Sequence, residues 1–414
     1  MIGRDDAAAL DASDSLARFR DRFVLGDGER IYADGNSLGR LPQATAGRIE
    51  RLLREWGDRV VTGWADWIEA PVRVGDVLGQ VVGARPGEVL ACDSTTVNLY
   101  KLAWAALDGR PGAIVVDESE FPTDRYVLEG IAARTGAELR RLSADPVVGP
   151  TANDIEAASA SGDVSLIVLS QAHYRSGALA DVEAITECAR RGGALVIWDL
   201  SHSAGAVPVE LAERGVELAV GCTYKYLNAG PGAPAYLYVR DELQESLRSP
   251  IQGWFGQRDQ FEMGPRYQPA AGIERFLAGT PSILGLVAVE AGAELALDAG
   301  VDAARTKSVA LTELTIALYE ERLAPLGFRL GTPRDPARRG GHVSMGHDEG
   351  WRICRALIER AQVVPDFRPP DTVRLGFAPL YSRFVDVWDA VDRLTDLVAR
   401  GEHELVDATP LRVT

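Results

Sequence analysis

Lysine is the rarest charged side chain: the 414-residue chain holds only Lys101, Lys225 and Lys307 among 44 basic residues, the rest being arginine. Where arginine meets nearly every cationic need, a lysine invites a chemical reason. The sharpest is that its amine can lose a proton and act as a nucleophile, which a guanidinium effectively cannot. Cysteine and histidine are scarce too. Cys92, Cys188, Cys222 and Cys354 lie far apart without zinc or redox spacing, and the five histidines show no metal-ligand spacing. Cys354 falls on the apolar stripe of Trp351, Leu357 and Ile358 and reads as core. No apolar run is long enough to cross a bilayer. Met1 to Leu10 carries no basic stretch followed by an apolar one, so no secretory signal is expected, and a cytoplasmic chain with reduced thiols is. Repeats and low-complexity tracts are absent. Positive charge is outweighed, the net formal charge being -16. That sign argues against a surface that tracks nucleic-acid phosphates and against anionic membrane, but not against a small anion met by local donors.

What is present suits a large α/β protein. The length exceeds what one small core requires and predicts two lobes. Apolar runs at Ala113–Val116, Leu166–Ser170, Ala194–Asp199, Glu217–Gly221 and Ala235–Val239 read as strands, separated by amphipathic stretches such as Val182–Arg191, which stops at Gly192-Gly193. Strands apolar on both faces predict a mostly parallel sheet covered by helices, with the ligand beyond the strands' carboxyl ends. Val287–Ala324 reads as helical, and residues 326–414 as a smaller α/β unit with turns at Pro333, Pro336 and Gly340-Gly341. Residues 1–20 are expected to fray.

The chemistry concentrates at a few strings. Asp199 ends an apolar strand, where a carboxylate is costly without a partner. It suits a protonated pyridine nitrogen, or equally the capping of the next turn. Lys225 stands between Tyr224 and Tyr226 before the turn Asn228-Ala229-Gly230-Pro231-Gly232, an unusual setting for a solvated lysine and a good one for a Schiff base. Ser94-Thr95-Thr96 precedes a helical pattern and offers hydroxyls and free amides to a phosphate, although a bare helix cap explains it as well. Phe121, in Phe121-Pro122-Thr123-Asp124, could stack on a ring. Arg374, in the apolar run Thr372–Phe377, fits either capture of an α-carboxylate or a structural ion pair.

Together these strings resemble kynureninases, members of the pyridoxal-phosphate-dependent, aspartate-aminotransferase-like fold type I family. The likeness runs from Asp34-Gly35-Asn36-Ser37-Leu38-Gly39 to Leu380–Trp388, and is most specific at Asp199–His202, Thr223–Asn228, Gly253-Trp254-Phe255-Gly256 and Gly279-Thr280-Pro281. It implies a mostly parallel central sheet in a large cofactor-binding domain (56–290), a smaller α/β domain (291–414), and an N-terminal segment (1–55) joining the latter. The cofactor implied is pyridoxal 5'-phosphate, bound to Lys225, with Asp199 on its ring nitrogen and Tyr224 as a proton donor. Thr95, Thr96, Phe121, Asp124 and His202 would be further cofactor contacts. Trp254 and Thr280 would reach in from the neighbouring subunit of a homodimer with shared sites. Ser37, Trp64 and Arg374 would bind the amino-acid substrate, and Trp64 with Thr280 is similar to the bacterial, kynurenine-preferring pattern. The activity implied is cleavage of the Cβ–Cγ bond of L-kynurenine to anthranilate and L-alanine, without metal, nucleic acid or membrane. A relative acting on a substituted kynurenine or another γ-keto amino acid, or forming a C–C bond, is the alternative. Three strings depart from the family pattern: Gln257, Ser170–Tyr174 and Thr62–Asp66. All three are expected near the pocket.

Overall fold

The computed structural model describes residues 2–26, 30–407 and 409. Residues 27–29 and the extreme ends of the expected N- and C-terminal ranges lie outside them. Seven strands form the main sheet: β1 (Val89–Ala91), β2 (Ala113–Asp117), β3 (Leu139–Leu142), β4 (Val164–Ser170), β5 (Leu195–Asp199), β6 (Leu218–Gly221) and β7 (Tyr236–Val239). Their spatial order is β1-β7-β6-β5-β4-β2-β3. Only β7 runs against its neighbours; the other six point the same way. The five strands expected from apolar runs are all here, with ends shifted by two residues at most.

The sheet is buried on both faces because alternate residues of its strands enter two different cores. Val196 and Trp198 of β5 pack on one side with helix Ala70–Val82 and with Val182 and Ile185 of helix Val182–Arg191. Leu195 and Ile197 pack on the other with Leu99 and Leu102 of helix Thr95–Leu107. This is the two-residue period of a strand covered by helices.

A second core lies around an antiparallel sheet of Arg329–Leu330, Val343–Gly346, Asp366–Arg368 and Thr372–Leu375. Ala7, Ile31 and Ala33 pack into it beside helices Val301–Leu318 and Phe384–Ala399. The first residues are not frayed, contrary to expectation. Arg4–Ala12 is a helix, Asp11 accepts from the free N–H groups of Phe384 and Val385, and Phe19 is buried. These contacts satisfy an otherwise exposed helix start and repay the ordering of the terminus. Helix Ile283–Ala299 runs through position 290 and keeps Val289, Ala293 and Ala296 in the main core, so the chain crosses between cores only after it.

The loop after β6 is clamped from two directions. Gly39 N–H donates to Tyr224 O at 2.7 Å, and a Cβ on Gly39 would lie 2.3 Å from Lys225 O. On the other side, a Cβ on Gly292 would lie 1.9 Å from Leu227 O. Backbone meets backbone at both positions, and only glycine allows it. Gly292→Ala should therefore force the long helix away from the Lys225 loop at a cost of about 1–3 kcal/mol. Denaturant unfolding measures this; a midpoint equal to that of the parent would show that the helix and loop are not tightly packed.

Candidate active site

Parallel strands deliver their carboxyl ends to one edge of the sheet, and a cavity of 180 Å³ opens there. Ser94, Thr95 and Thr96 follow β1, Phe121 and Asp124 follow β2, Ser170 ends β4, Asp199 ends β5, and Tyr224 and Lys225 follow β6. Five separate strand ends thus supply one small space. His202, Ser201 and Tyr174 complete much of its wall.

At one end stands an acidic group. Asp199 Oδ1 accepts from Ser201 N–H at 2.8 Å, so this side chain caps its turn and also faces the cavity. Asp124 is fully buried and neither of its carboxyl oxygens has a hydrogen-bond partner. Burial first, then the charges of Asp199 and Glu120, push the Asp124 carboxyl well above its ordinary range. Glu120 takes hydrogen bonds from Ser170 N–H and Oγ–H, at 2.7 and 2.6 Å, and burial raises it too.

Lys225 lies across from these acids. Its Nζ is 2.8 Å from His202 Nε2 and 5.9 Å from the centre of the Phe121 ring. Burial is the main cause that lowers the Lys225 pKa, with Arg374 and Arg368 adding to it and Cys222 and Asp199 opposing. Burial, then the Lys225 charge, holds His202 well below the usual imidazole value. A buried amine beside a neutral imidazole is suited to nucleophilic chemistry. Tyr224 is raised, chiefly by Cys222 and then by burial, and so keeps its phenolic proton.

The third end is the start of helix Thr95–Leu107, where Ser94 Oγ accepts from Val97 N–H and the Thr95 and Thr96 hydroxyls face the cavity. Unpaired amides and hydroxyls at a helix start attract an anion. An aromatic wall, a buried carboxyl without partners and an anion-seeking terminus fit a flat, phosphorylated pyridine aldehyde.

Of the residues singled out in sequence, Thr95, Thr96, Phe121, Asp124, Asp199, His202, Tyr224 and Lys225 line this cavity. Arg374 and Ser37 lie behind its Tyr174 wall: Arg374 donates to Tyr174 O and, at 2.9 Å, to Ser37 Oγ. Trp64, Trp254 and Thr280 lie outside it in the single chain. Trp64 and Trp254 both pack on Phe255, at 6.1 and 4.5 Å between ring centres, while Trp254 and Thr280 are exposed. Of the three departing strings only Ser170–Tyr174 lines the cavity. Gln257 instead accepts from Gln268 N–H in a separate loop, and Thr62–Asp66 lies on the helical turn that carries Trp64. Sequence reasoning passed over Glu120, Asp366 and Asn36. Glu120 sits directly before Phe121 and could have been found by asking what else that strand end buries; the other two depend on pairing across strands.

The Aminotransferase class-V family model matches residues 74–348, and the Kynureninase C-terminal domain model matches residues 304–394. The chain is 43% identical over 411 residues to the kynureninase of Pseudomonas fluorescens, covering 97% of this chain and 96% of the relative. It is 42% identical over 408 residues to that of Burkholderia pseudomallei strain 1106a, covering 96% of each. Among solved structures, the cysteine desulfurase of Thermococcus onnurineus NA1 shares the fold with a TM-score of 0.81 at 20% identity, over 93% of this chain and 98% of that one. The cysteine desulfurase CsdA of Escherichia coli gives 0.79 at 19%, over 93% and 98%.

The buried acids make the ligand-free protein sensitive to pH. The folded state keeps the Asp124 proton to higher pH than the unfolded chain does, so stability falls as pH rises above the ordinary aspartate range. Asp124→Asn removes this titration and should flatten the decline. Melting of both proteins without cofactor at about pH 5 and about pH 8 tests it; equal losses in both would refute the Asp124 assignment.

Proposed function

The chain belongs to the kynureninase family, and from that premise we propose that it hydrolyses the Cβ–Cγ bond of L-kynurenine to anthranilate and L-alanine, with pyridoxal phosphate held on Lys225. This is a step of tryptophan catabolism. The observation that carries the assignment of residues is the convergence of Lys225, Asp199 and Phe121 on one cavity that ends at a helix start.

The residues divide the work by position. The Thr95 and Thr96 hydroxyls with the helix amides take the phosphate, and Phe121 covers a ring face. Bound there, the cofactor supplies an electron sink for carbanions on the substrate. Asp199 holds a proton on the ring nitrogen, with Asp124 next to it. The Lys225 amine takes the proton from Cα, its burial keeping the amine free to do so. Water adds to the Cγ carbonyl, the Cβ–Cγ bond breaks to release the aryl carboxylate, and Tyr224, which keeps its phenolic proton, delivers it to Cβ of the alanine fragment. Arg374 and Ser37 face the α-carboxylate.

Residues 56–290 form the cofactor-binding domain in this reading, and residues 1–55 join 291–414 in the smaller one; the packing of Ala7, Ile31 and Ala33 into the second core supports it. Two sites shared across a homodimer are part of the same proposal. Val61, Trp254, Phe261 and Met263 leave apolar surface exposed, and Phe255 and Phe261 line an open depression of 590 Å³, both suited to cover by a second copy. Trp254 and Thr280 would then enter the partner's site. A cytoplasmic location agrees with four unpaired, buried cysteines. No helix among the described residues is long and apolar enough to cross a membrane.

Lys225→Ala should bind pyridoxal phosphate without the visible absorbance of a Schiff base and release neither anthranilate nor alanine from L-kynurenine. Turnover by this variant, or no such products from the parent, would overturn the reading. Mixing Lys225→Ala with Trp254→Ala subunits tests the shared site. If Trp254 acts across the dimer, one of the two sites in each mixed dimer is intact and roughly a quarter of parental activity returns. No rescue would place Trp254 in its own subunit's site or outside both.

A further inference from the structure

Two guanidinium groups share one carboxylate beside the cavity. The antiparallel register sets Asp366 opposite Arg374, and Arg368, two residues on, projects from the same face of its strand. Asp366 Oδ2 accordingly meets Arg374 Nη2 and lies 2.9 Å from Arg368 Nε. Both arginines also point at Ser37 Oγ, Arg374 at 2.9 Å and Arg368 at 3.4 Å.

The two differ in what remains free. The Arg374 side chain is 0% exposed. It donates to Tyr174 O, Ser37 Oγ and Asp366 Oδ2, and with the Asn36 amide in its satisfied orientation also to that carboxamide oxygen, at 2.8 and 3.0 Å. An incoming carboxylate can form a fork with Arg374 only by displacing one of these acceptors, and a displaced buried acceptor is costly. The Arg368 side chain is 31% exposed. Its Nε is close to Asp366 but not aligned for a hydrogen bond, and Ser37 Oγ is the sole hydrogen-bond partner of its other nitrogens among the described residues. Its charge is felt at Lys225, His202 and Tyr224, as a minor influence beside burial at Lys225 and His202 and beside Cys222 at Tyr224. The cluster also holds the half-buried acid Asp34, whose Oδ1 has no partner. Burial, then the charge of Asp366, pushes the Asp34 carboxyl up to about 7, so Asp366 offsets one guanidinium and the surplus positive charge left for an incoming carboxylate exists only because there are two arginines.

We propose that Arg368 is a further substrate-binding residue, receiving the α-carboxylate of the amino-acid substrate alongside Arg374 while Asp366 anchors both guanidinium groups. This rests on the kynureninase-type reading and adds a residue to it. A single buried arginine with its donors spent holds the wall, and the exposed one moves to meet the ligand. Loss of a charge-assisted fork should weaken binding by about 10–100-fold.

The test uses the cofactor-loaded enzyme, with L-alanine and L-alaninamide as probes and calorimetry as the readout. Arg368→Gln should weaken L-alanine binding about 10–100-fold and leave L-alaninamide, which lacks the carboxylate, within a few-fold of the parent. With L-kynurenine the loss should fall on KM more than on kcat. Arg368→Lys should recover part of the L-alanine affinity, and serves alone should the glutamine variant not fold. Asp366→Asn should also weaken L-alanine, and the double variant should lose less than the product of the two single losses. Unchanged L-alanine affinity in both Arg368 variants, or equal losses for both probes, overturns the proposal. A parent enzyme that binds L-alanine through Arg368 but forms no anthranilate would instead refute the kynurenine reading and leave the carboxylate assignment standing.

Discussion

An amine serves as a nucleophile only where its protonated form is penalised, and the position of Lys225 is set by that penalty. Burial lowers its pKa, His202 stands 2.8 Å away as a neutral neighbour, and the loop that carries it has no room to relax. Gly39 presses on the loop from the N-terminal segment and Gly292 from the long helix that ends the main core. The clamp joins parts far apart in sequence. The string Asp34–Gly39 holds Tyr224 O through Gly39 N–H while Asn36 and Ser37, in the same string, hold Arg374. One short segment therefore spans both the Schiff-base loop and the guanidinium cluster, and its conformation fixes the distance between them.

How far this was legible in sequence depends on whether the signal was local. Strands β2 and β4 to β7 announce themselves because a buried strand needs a continuous apolar run, and Asp199 and Lys225 stand out because each breaks the pattern at a strand end. Rarity of lysine does not by itself single out Lys225. Lys101 and Lys307 are buried as well, yet neither faces a cavity where a nucleophile would act. Lys101 is buried against Asp93 and Phe276 O, both at 2.7 Å, and Lys307 against Asp14 at 2.6 Å. A compact ammonium fits such a socket where a planar fork does not. Scarcity flagged three buried lysines and could not say which one faced a cavity.

Non-local pairings were out of reach. The link from Asp366 to Arg374 exists because two strands pair in one register, and a slip of one residue would turn Asp366 away. The helix at residues 4–12 has only weak amphipathicity of its own and is ordered by Asp11 capping a helix more than 370 positions later. Trp64, Trp254 and Thr280 carry a different lesson. Motif likeness placed Trp64 at the aromatic end of the substrate and Trp254 and Thr280 in the neighbouring subunit's site, and a single chain leaves all three apart from the cavity, the two tryptophans on Phe255. A site shared between subunits cannot be read from the cavity of one chain.

The distribution of charge around the cavity explains how so acidic a protein can handle anions. Carboxylates gather behind one end, where Glu120, Asp124 and Asp199 are buried together, and guanidinium groups gather at the other, where Arg368 and Arg374 meet on Asp366. Asp124 keeps its proton, so the charge of Asp199 sets the negative end, and two guanidinium groups outweigh Asp366 and the partly ionised Asp34 at the other; the field is thus a dipole on the scale of one small molecule, little screened because its sources are mostly buried. A neutral or simply anionic ligand gains little from such a field. A ligand with a cationic ring nitrogen at one end and a carboxylate at the other gains at both, and only in one orientation. Direction rather than net attraction is what this arrangement supplies, which is why a net charge of -16 spread over the whole surface does not disqualify the site.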